Sequence, residues 1–235
     1  MKGPDGGPER LSAARIVRTA VELADGGGLE AVSMSRVAER LGSATMALYR
    51  HVRNKDELLV LMVDAALQPS PAGAGAQREG WRPRLERWCF DILDLLRRHP
   101  WVVQVPIKGP PSTPSQLAWL DRGLDALAGT PLTEAEKAST LLLLNGHVFW
   151  GARLYAELDQ AGADAGERDA DLAGVLDTVV DSERFPALRR ALDAGIFTDR
   201  SADADFRFGL DRILSGVEQL LRDRPARAVT TAPGA

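Results

Sequence analysis

A single cysteine, Cys89, excludes an internal disulfide in this chain of 235 residues. The three histidines, at 51, 99 and 147, stand neither three nor four positions from one another or from Cys89, so helical zinc-ligand spacing is absent. Glycine-rich phosphate loops and the G-x-S-x-G nucleophile elbow are missing too. The carboxylates scatter over helix surfaces instead of converging. No catalytic constellation is visible, and neither a metal nor a cofactor is expected. Apolar runs such as Leu141–Leu144 fall far short of the roughly 20 residues that cross a bilayer. The segment Met1–Arg10 lacks the apolar stretch of a secretion signal, so the expected location is the cytoplasm.

What is present is an ordinary globular composition, 45% hydrophobic and 26% charged, with a net charge of −4. That length supports one good core, or a small domain beside a larger one. The negative charge excludes a uniformly basic coat for nucleic acid, but not a local basic patch. Cys89, between Trp88 and Phe90, reads as a small buried hydrophobe.

The periodicity is helical throughout, with no strand-like alternation and no internal repeat, which makes the expected fold all-α. Ser12 is a fitting N-cap for a helix through Ala13, Ile16, Ala20 and Leu23 that stops at Gly26-Gly27-Gly28. A short helix follows Ser33, Gly42 makes a turn, and a third helix is expected over 44–52. Asn54 caps a fourth, with Asp56 and Glu57 in its first turn, where negative charge suits the helix dipole. Pro83 is expected to open a long helix with an apolar stripe at Leu85, Trp88, Cys89, Ile92, Leu95 and Leu96. Leu117–Leu127 predicts another. Thr133 and Glu136 form a capping box ahead of a helix to about Leu158, apolar nearly all round and therefore expected to be buried on more than one side. Helices are also expected over Leu172–Val180, after Pro186, and from Phe206 to Leu221. The resulting plan is an N-terminal arm without structure (1–11), a small helical domain (12–67), a Pro/Gly/Ala-rich loop (68–80), a larger helical domain (81–222) and an unstructured tail (223–235).

The small domain is electrostatically distinct. Between Arg10 and Lys55 there are eight Lys or Arg and four Asp or Glu, so this window carries +4 and the remainder −8. A small Ala38, a turn at Gly42 and an anchoring Leu48 give the spacing of a helix-turn-helix, whose second helix enters the DNA major groove. Thr45, Met46, Tyr49, Arg50 and His51 would then be its exposed side chains.

The stretch VSMSRVAERLGSATMALYRHVRNKDELL, Val32 to Leu59, resembles the DNA-binding domain of the tetracycline-repressor (TetR) family of bacterial regulators. Its most distinctive part is Leu48-Tyr49-x-His51-Val52-x-Asn54-Lys55-x-x-Leu58-Leu59. The later helices are similar to the family's ligand-binding part more loosely, through F-P-A-L at Phe185 and F-x-x-G-L-x-x-I-L at Phe206. The resemblance implies that Tyr49 and Lys55 grip phosphates, that His51 contacts DNA at the end of the recognition helix, and that Ser33 and Ser35, at the start of the preceding helix, contact the DNA backbone and sometimes a base, with Arg36 a further candidate DNA contact. It places Thr45 and Met46 on the base-facing surface. Arg50 is the one residue of the recognition helix able to make a bidentate contact to guanine, and a phosphate contact is its alternative.

The resemblance also implies a homodimer on near-palindromic double-stranded DNA, built through a four-helix bundle to which 134–158 and 206–221 are the expected contributors. Gly146, Gly151, Gly209 and Gly216 within them would permit close helix approach, and an intramolecular core is the plainer alternative. All five tryptophans lie beyond residue 80. Trp88, Ile92, Trp101, Trp119, His147 and Trp150 are the candidate lining of a cavity for a small hydrophobic or aromatic effector, against the plainer reading of ordinary core. The expected function is a repressor released from its operator by that effector. The alternatives are a DNA-bound dimer without a small-molecule ligand that answers to a protein partner or acts as an activator, and an all-α enzyme or binding protein.

Overall fold

The computed structural model describes residues 10–69, 79–107, 109–161, 174–195 and 202–223. Most of the expected arm, most of the loop 68–80, nearly all of the tail, and residues 172–173 lie outside the described residues. The chain is all-α. Its helices are α1 (Ala13–Gly27), α2 (Met34–Arg40), α3 (Thr45–Leu48), α4 (Lys55–Ala66), α5 (Trp81–Arg98), α6 (Pro114–Ala126), α7 (Glu134–Ala161), α8 (174–179), α9 (Pro186–Asp193) and α10 (Ala202–Arg222). The short 3-10 segments Leu29–Ala31 and Pro100–Gln104 lie between them. The chain divides after Ala128 into two compact units.

Local chemistry explains the boundaries. Ser12 caps α1 by accepting from the Arg15 amide, Ser33 caps α2 through Arg36, and Asn54 caps α4 through Glu57 at 2.8 Å. The capping box of α7 is complete: the Glu136 amide donates to Thr133 Oγ1 at 3.3 Å, and the Thr133 amide donates back to Glu136 at 2.8 Å. α5 begins at Trp81, two residues before Pro83. A proline costs nothing in a helix's first turn, where its missing N–H has no partner within the helix. α6 likewise starts at Pro114 and not near Leu117.

The first unit packs α1 against α2 and α4, and α6 against α4 and α5. Ile16, Ala20, Val37, Leu48, Leu58 and Met62 are at most 1% exposed and form the core of the first four helices. The expected α5 stripe is buried throughout, from Leu85 to Leu96. Within it, burial pushes the Cys89 thiol up to about 12, so it stays neutral and serves as packing.

In the second unit α7 packs on α10. Leu141, Leu144, Val148 and Ala152 of α7 meet a core that includes Phe206, Leu210 and Leu214 of α10. The expectation that α7 is buried on more than one side fails within a single chain: Leu142, Leu143 and Trp150 are 74%, 57% and 64% exposed.

Two of the four expected small-residue positions explain the α7–α10 approach. A Cβ on Gly151 would stand 2.8 Å from the Phe206 ring, and one on Gly209 would stand 2.4 Å from the His147 ring. His147 cannot easily yield. Its imidazole stacks on Phe206 with centroids 4.7 Å apart, and its Nε2 donates to the Phe206 carbonyl at 2.9 Å. Gly209→Ala is therefore expected to lose about 1–3 kcal/mol to overpacking, more than the roughly 1 kcal/mol gained in helix propensity. Thermal unfolding should show a Tm lower by about 2–4 °C, recovered in large part when His147 is also trimmed to Ala.

Candidate nucleic-acid interface

α2 ends because Gly42 adopts φ +63°, which lets the Ser43 amide donate to Ala38 (2.9 Å) and the Gly42 amide to Glu39 (3.0 Å). This double closure satisfies two helix-end carbonyls and reverses the chain into α3. Only glycine enters that left-handed conformation without strain. Leu48, fully buried, then pins α3 to the core, leaving the rest of its first turn outward.

α3 is shorter than the expected 44–52. After Leu48 the chain tightens, with His51 N–H donating to the Leu48 carbonyl at 2.9 Å, and then extends so that Asn54 can cap α4. The N-cap conformation of Asn54 (φ −161°) is incompatible with helix continuing through it.

All nine residues singled out for DNA contact lie in α2 and its cap, in α3 with its following turn, and at the first position of α4. Met46 is 74% exposed and Tyr49 43%. Ser35, Arg36, Arg50, His51 and Lys55 are exposed, and Ser33 and Thr45 are half-buried. Ser33 is occupied as the α2 cap, and its Oγ lies 3.1 Å from that of Ser35. The Arg36 guanidinium donates to the Glu30 carbonyl at 3.2 Å, which draws it along the surface. Glu57 turns onto Arg53, accepting from its backbone amide at 2.5 Å and its guanidinium at 3.4 Å.

What fixes this reader lies further along the chain. Asp25, at the end of α1, accepts from the Trp101 indole N–H at 2.7 Å through the same oxygen that His99 Nδ1 approaches at 2.7 Å. At the end of α4, Asp64 accepts from the Ser115 amide at 2.8 Å, and its carbonyl accepts from the Ser115 hydroxyl at 2.8 Å. Ser115 is in the first turn of α6, where amides lack helical partners and a carboxylate is favoured by the helix dipole. Trp119 donates to the Leu67 carbonyl at 2.7 Å, and Trp88 donates to the Trp119 carbonyl at 2.9 Å. Both helices that flank the helix-turn-helix are thus bonded to the segment 99–119. Sequence reasoning missed Asp25, Asp64, His99 and Ser115. Their pairings span 74, 76 and 51 residues, and no short-range spacing signals them.

The residues expected to line an effector cavity fall into both units. Trp88, Ile92, Trp101 and Trp119, at most 6% exposed, belong to the first, and their three indole N–H groups are all spent on the bonds just described. His147 and Trp150 belong to the second, the former stacked on Phe206 and the latter exposed. Among the described residues no group of three or more His, Cys, Asp or Glu could hold a metal. No described helix is long and apolar enough to cross a membrane.

The family model for bacterial regulatory proteins of the tetR family matches residues 16–62, and that for the tetracyclin repressor-like C-terminal domain matches residues 74–221. The chain belongs to the TetR family. It is 38% identical over 227 residues to the HTH-type transcriptional repressor DrrR1 of Streptomyces coeruleorubidus, covering 94% of this chain and 83% of that protein. It is 28% identical to the class A tetracycline repressor of transposon 1721 from Escherichia coli, over 88% of this chain and 91% of the other. Among solved structures, the Streptomyces coelicolor TetR family protein ActR in complex with actinorhodin superposes with a TM-score of 0.78 at 28% identity, covering 92% of this chain and 99% of that one. This TetR-family chain is a DNA-binding transcriptional regulator.

Replacing Asp25 by Ala would leave the Trp101 N–H, on a ring only 1% exposed, without its acceptor. Urea unfolding should report a loss of about 1–3 kcal/mol for Asp25→Ala and a smaller one for Asp25→Asn, which keeps an acceptor oxygen.

Proposed function

We propose that this chain is a cytoplasmic homodimeric repressor that holds a near-palindromic operator and releases it when a small hydrophobic or aromatic effector binds. Residues 12–67 are the DNA reader in this proposal, and residues 81–222 carry effector binding and dimerisation. The observation that carries it is the α2–Gly42–α3 geometry, with Leu48 buried and Met46, Tyr49, Arg50, His51 and Lys55 exposed around it. Tyr49 and Lys55 take phosphates, which orient the reader. Thr45, Met46 and Arg50 meet the groove, with Ser33, Ser35, Arg36 and His51 at its edges.

Dimerisation is supported by what one chain leaves uncovered. Leu142, Leu143, Gly146 and Trp150 are exposed on α7, and Phe208, Gly216 and Leu220 on α10. A Cβ on Gly146 or Gly216 would meet nothing within 4 Å, in contrast to Gly151 and Gly209. Two small-residue positions thus serve the chain's own core, and two are free for a second copy to approach closely. An apolar surface of this kind marks an interaction site. A dimer also supplies the second reader that a single short recognition helix needs, about one DNA turn (roughly 34–36 Å) from the first.

A small-molecule effector is supported by the ActR structures, solved in complex with actinorhodin and with (S)-DNPA. Of the candidate lining, Trp88, Ile92, Trp101 and Trp119 lie together in the first unit and are the residues this proposal gives to the effector. An effector acts by preferring one arrangement of the helices, and its leverage is limited to its differential affinity for the two states.

Selection of bound fragments from a random DNA pool at about 150 mM salt is expected to enrich a two-fold symmetric motif. Lys55→Ala should weaken binding equally across sequences and lower the salt slope by about one, with Tyr49→Ala acting in the same direction. A pool with no symmetric enrichment would contradict the proposal. Leu142→Glu should convert the dimer to a folded monomer, read by sedimentation, and a dimer that persists would place the interface elsewhere.

A further inference from the structure

The first turn of the recognition helix is unusual in what it offers a base. Ala44, Thr45, Met46 and Ala47 include no amide, guanidinium or carboxylate. The paired hydrogen bonds that read guanine or adenine therefore cannot originate there. Arg50, the nearest side chain with a two-pronged donor, follows the end of the helix at Leu48. Met46 is 74% exposed, while the apolar side chains around this turn, Val37, Ala38 and Leu48, are at most 1% exposed. The core makes no use of its thioether arm, and α3 would retain its anchor without it.

The major-groove edge of B-DNA presents one apolar group, the 5-methyl of thymine. From this match we infer that Met46 reads a thymine 5-methyl group, and that this reader discriminates bases chiefly by methyl contact. The inference deepens the proposed DNA-reading role of α3 and rests on it. The flexible, polarisable methionine side chain adapts to a methyl group at slightly different depths, which suits contact without directional bonds. 5-Methylcytosine carries its methyl group at the same place in the groove, so the inference also makes the reader responsive to that modified base.

The test uses the full-length protein and the duplex obtained by selection. Each thymine is replaced in turn by deoxyuridine, which removes one methyl group and leaves every hydrogen-bonding group intact. Affinity is expected to fall about four-fold at one thymine in each half-site, and about fifteen-fold when both are changed. In Met46→Ala that penalty should vanish, and in Met46→Leu it should return. At the same position cytosine should bind weakly, and 5-methylcytosine should regain affinity that cytosine lacks. Because Met46 is exposed, Met46→Ala should keep the wild-type Tm. Uniform tolerance of deoxyuridine, or a deoxyuridine penalty unchanged in Met46→Ala, would overturn the inference while leaving the DNA-reading role in place. A selection that enriches no symmetric motif would overturn the role itself, and this inference with it.

Discussion

An indole N–H taken out of water must find an acceptor, and this requirement organises the first 128 residues. Trp88, Trp101 and Trp119 are buried because their rings fill the space between α5, α6 and the first four helices. Two of their donors reach acceptors that belong to the reader: Asp25 on α1 for Trp101 and the Leu67 carbonyl after α4 for Trp119. The third closes the chain of bonds, Trp88 onto the Trp119 backbone. Burying these rings without docking the reader would strand polar groups at a cost of about 1–3 kcal/mol each. Packing and orientation are thereby coupled: the helices that carry the recognition turn are seated by the same side chains that build the adjoining core.

The carboxylate of Asp64 adds direction to that seating. It caps the amide end of α6, so a charge on α4 lies where the α6 dipole favours it. Any rearrangement of α5 or α6 must break or carry these bonds, and carrying them moves α1 and α4. Under the proposed function, these bonds supply a physical route from an effector bound against α5 and α6 to the DNA reader. It requires no contact between effector and recognition helix, only a ligand that prefers one arrangement of α5 and α6 over another.

Much of this was legible in the sequence because it is local. The caps at Ser12 and Asn54, the helix start after Ser33, the box at Thr133 and Glu136, and the glycine turn at 42 depend on residues close in the chain, and each stands as read. Element ends were less legible. Pro83 marks a first turn but not which position within it, and α3 stops at Leu48, where the chain tightens into turns before Asn54 caps the next helix. The tryptophans illustrate the harder limit. Helical spacing shows that Trp88 faces inward but cannot reveal that its partner is a carbonyl 31 residues away. The four glycines of α7 and α10 were equally indistinguishable by composition. Only the positions of His147 and Phe206 separate Gly151 and Gly209, which serve the chain's own core, from Gly146 and Gly216, which face open space.

Bonded in this way, the reader helices and the adjoining α5–α6 layer open as one body. Native-state hydrogen exchange tests it directly, because amides in a common cooperative unit share one opening free energy. The best-protected amides of α1 and α4 should match those of α5 and α6, and removing the Asp25 carboxylate should lower all four together. Protection of α1 and α4 well below that of α5 and α6 in the native protein would contradict it, showing a reader that unfolds independently of the layer that seats it.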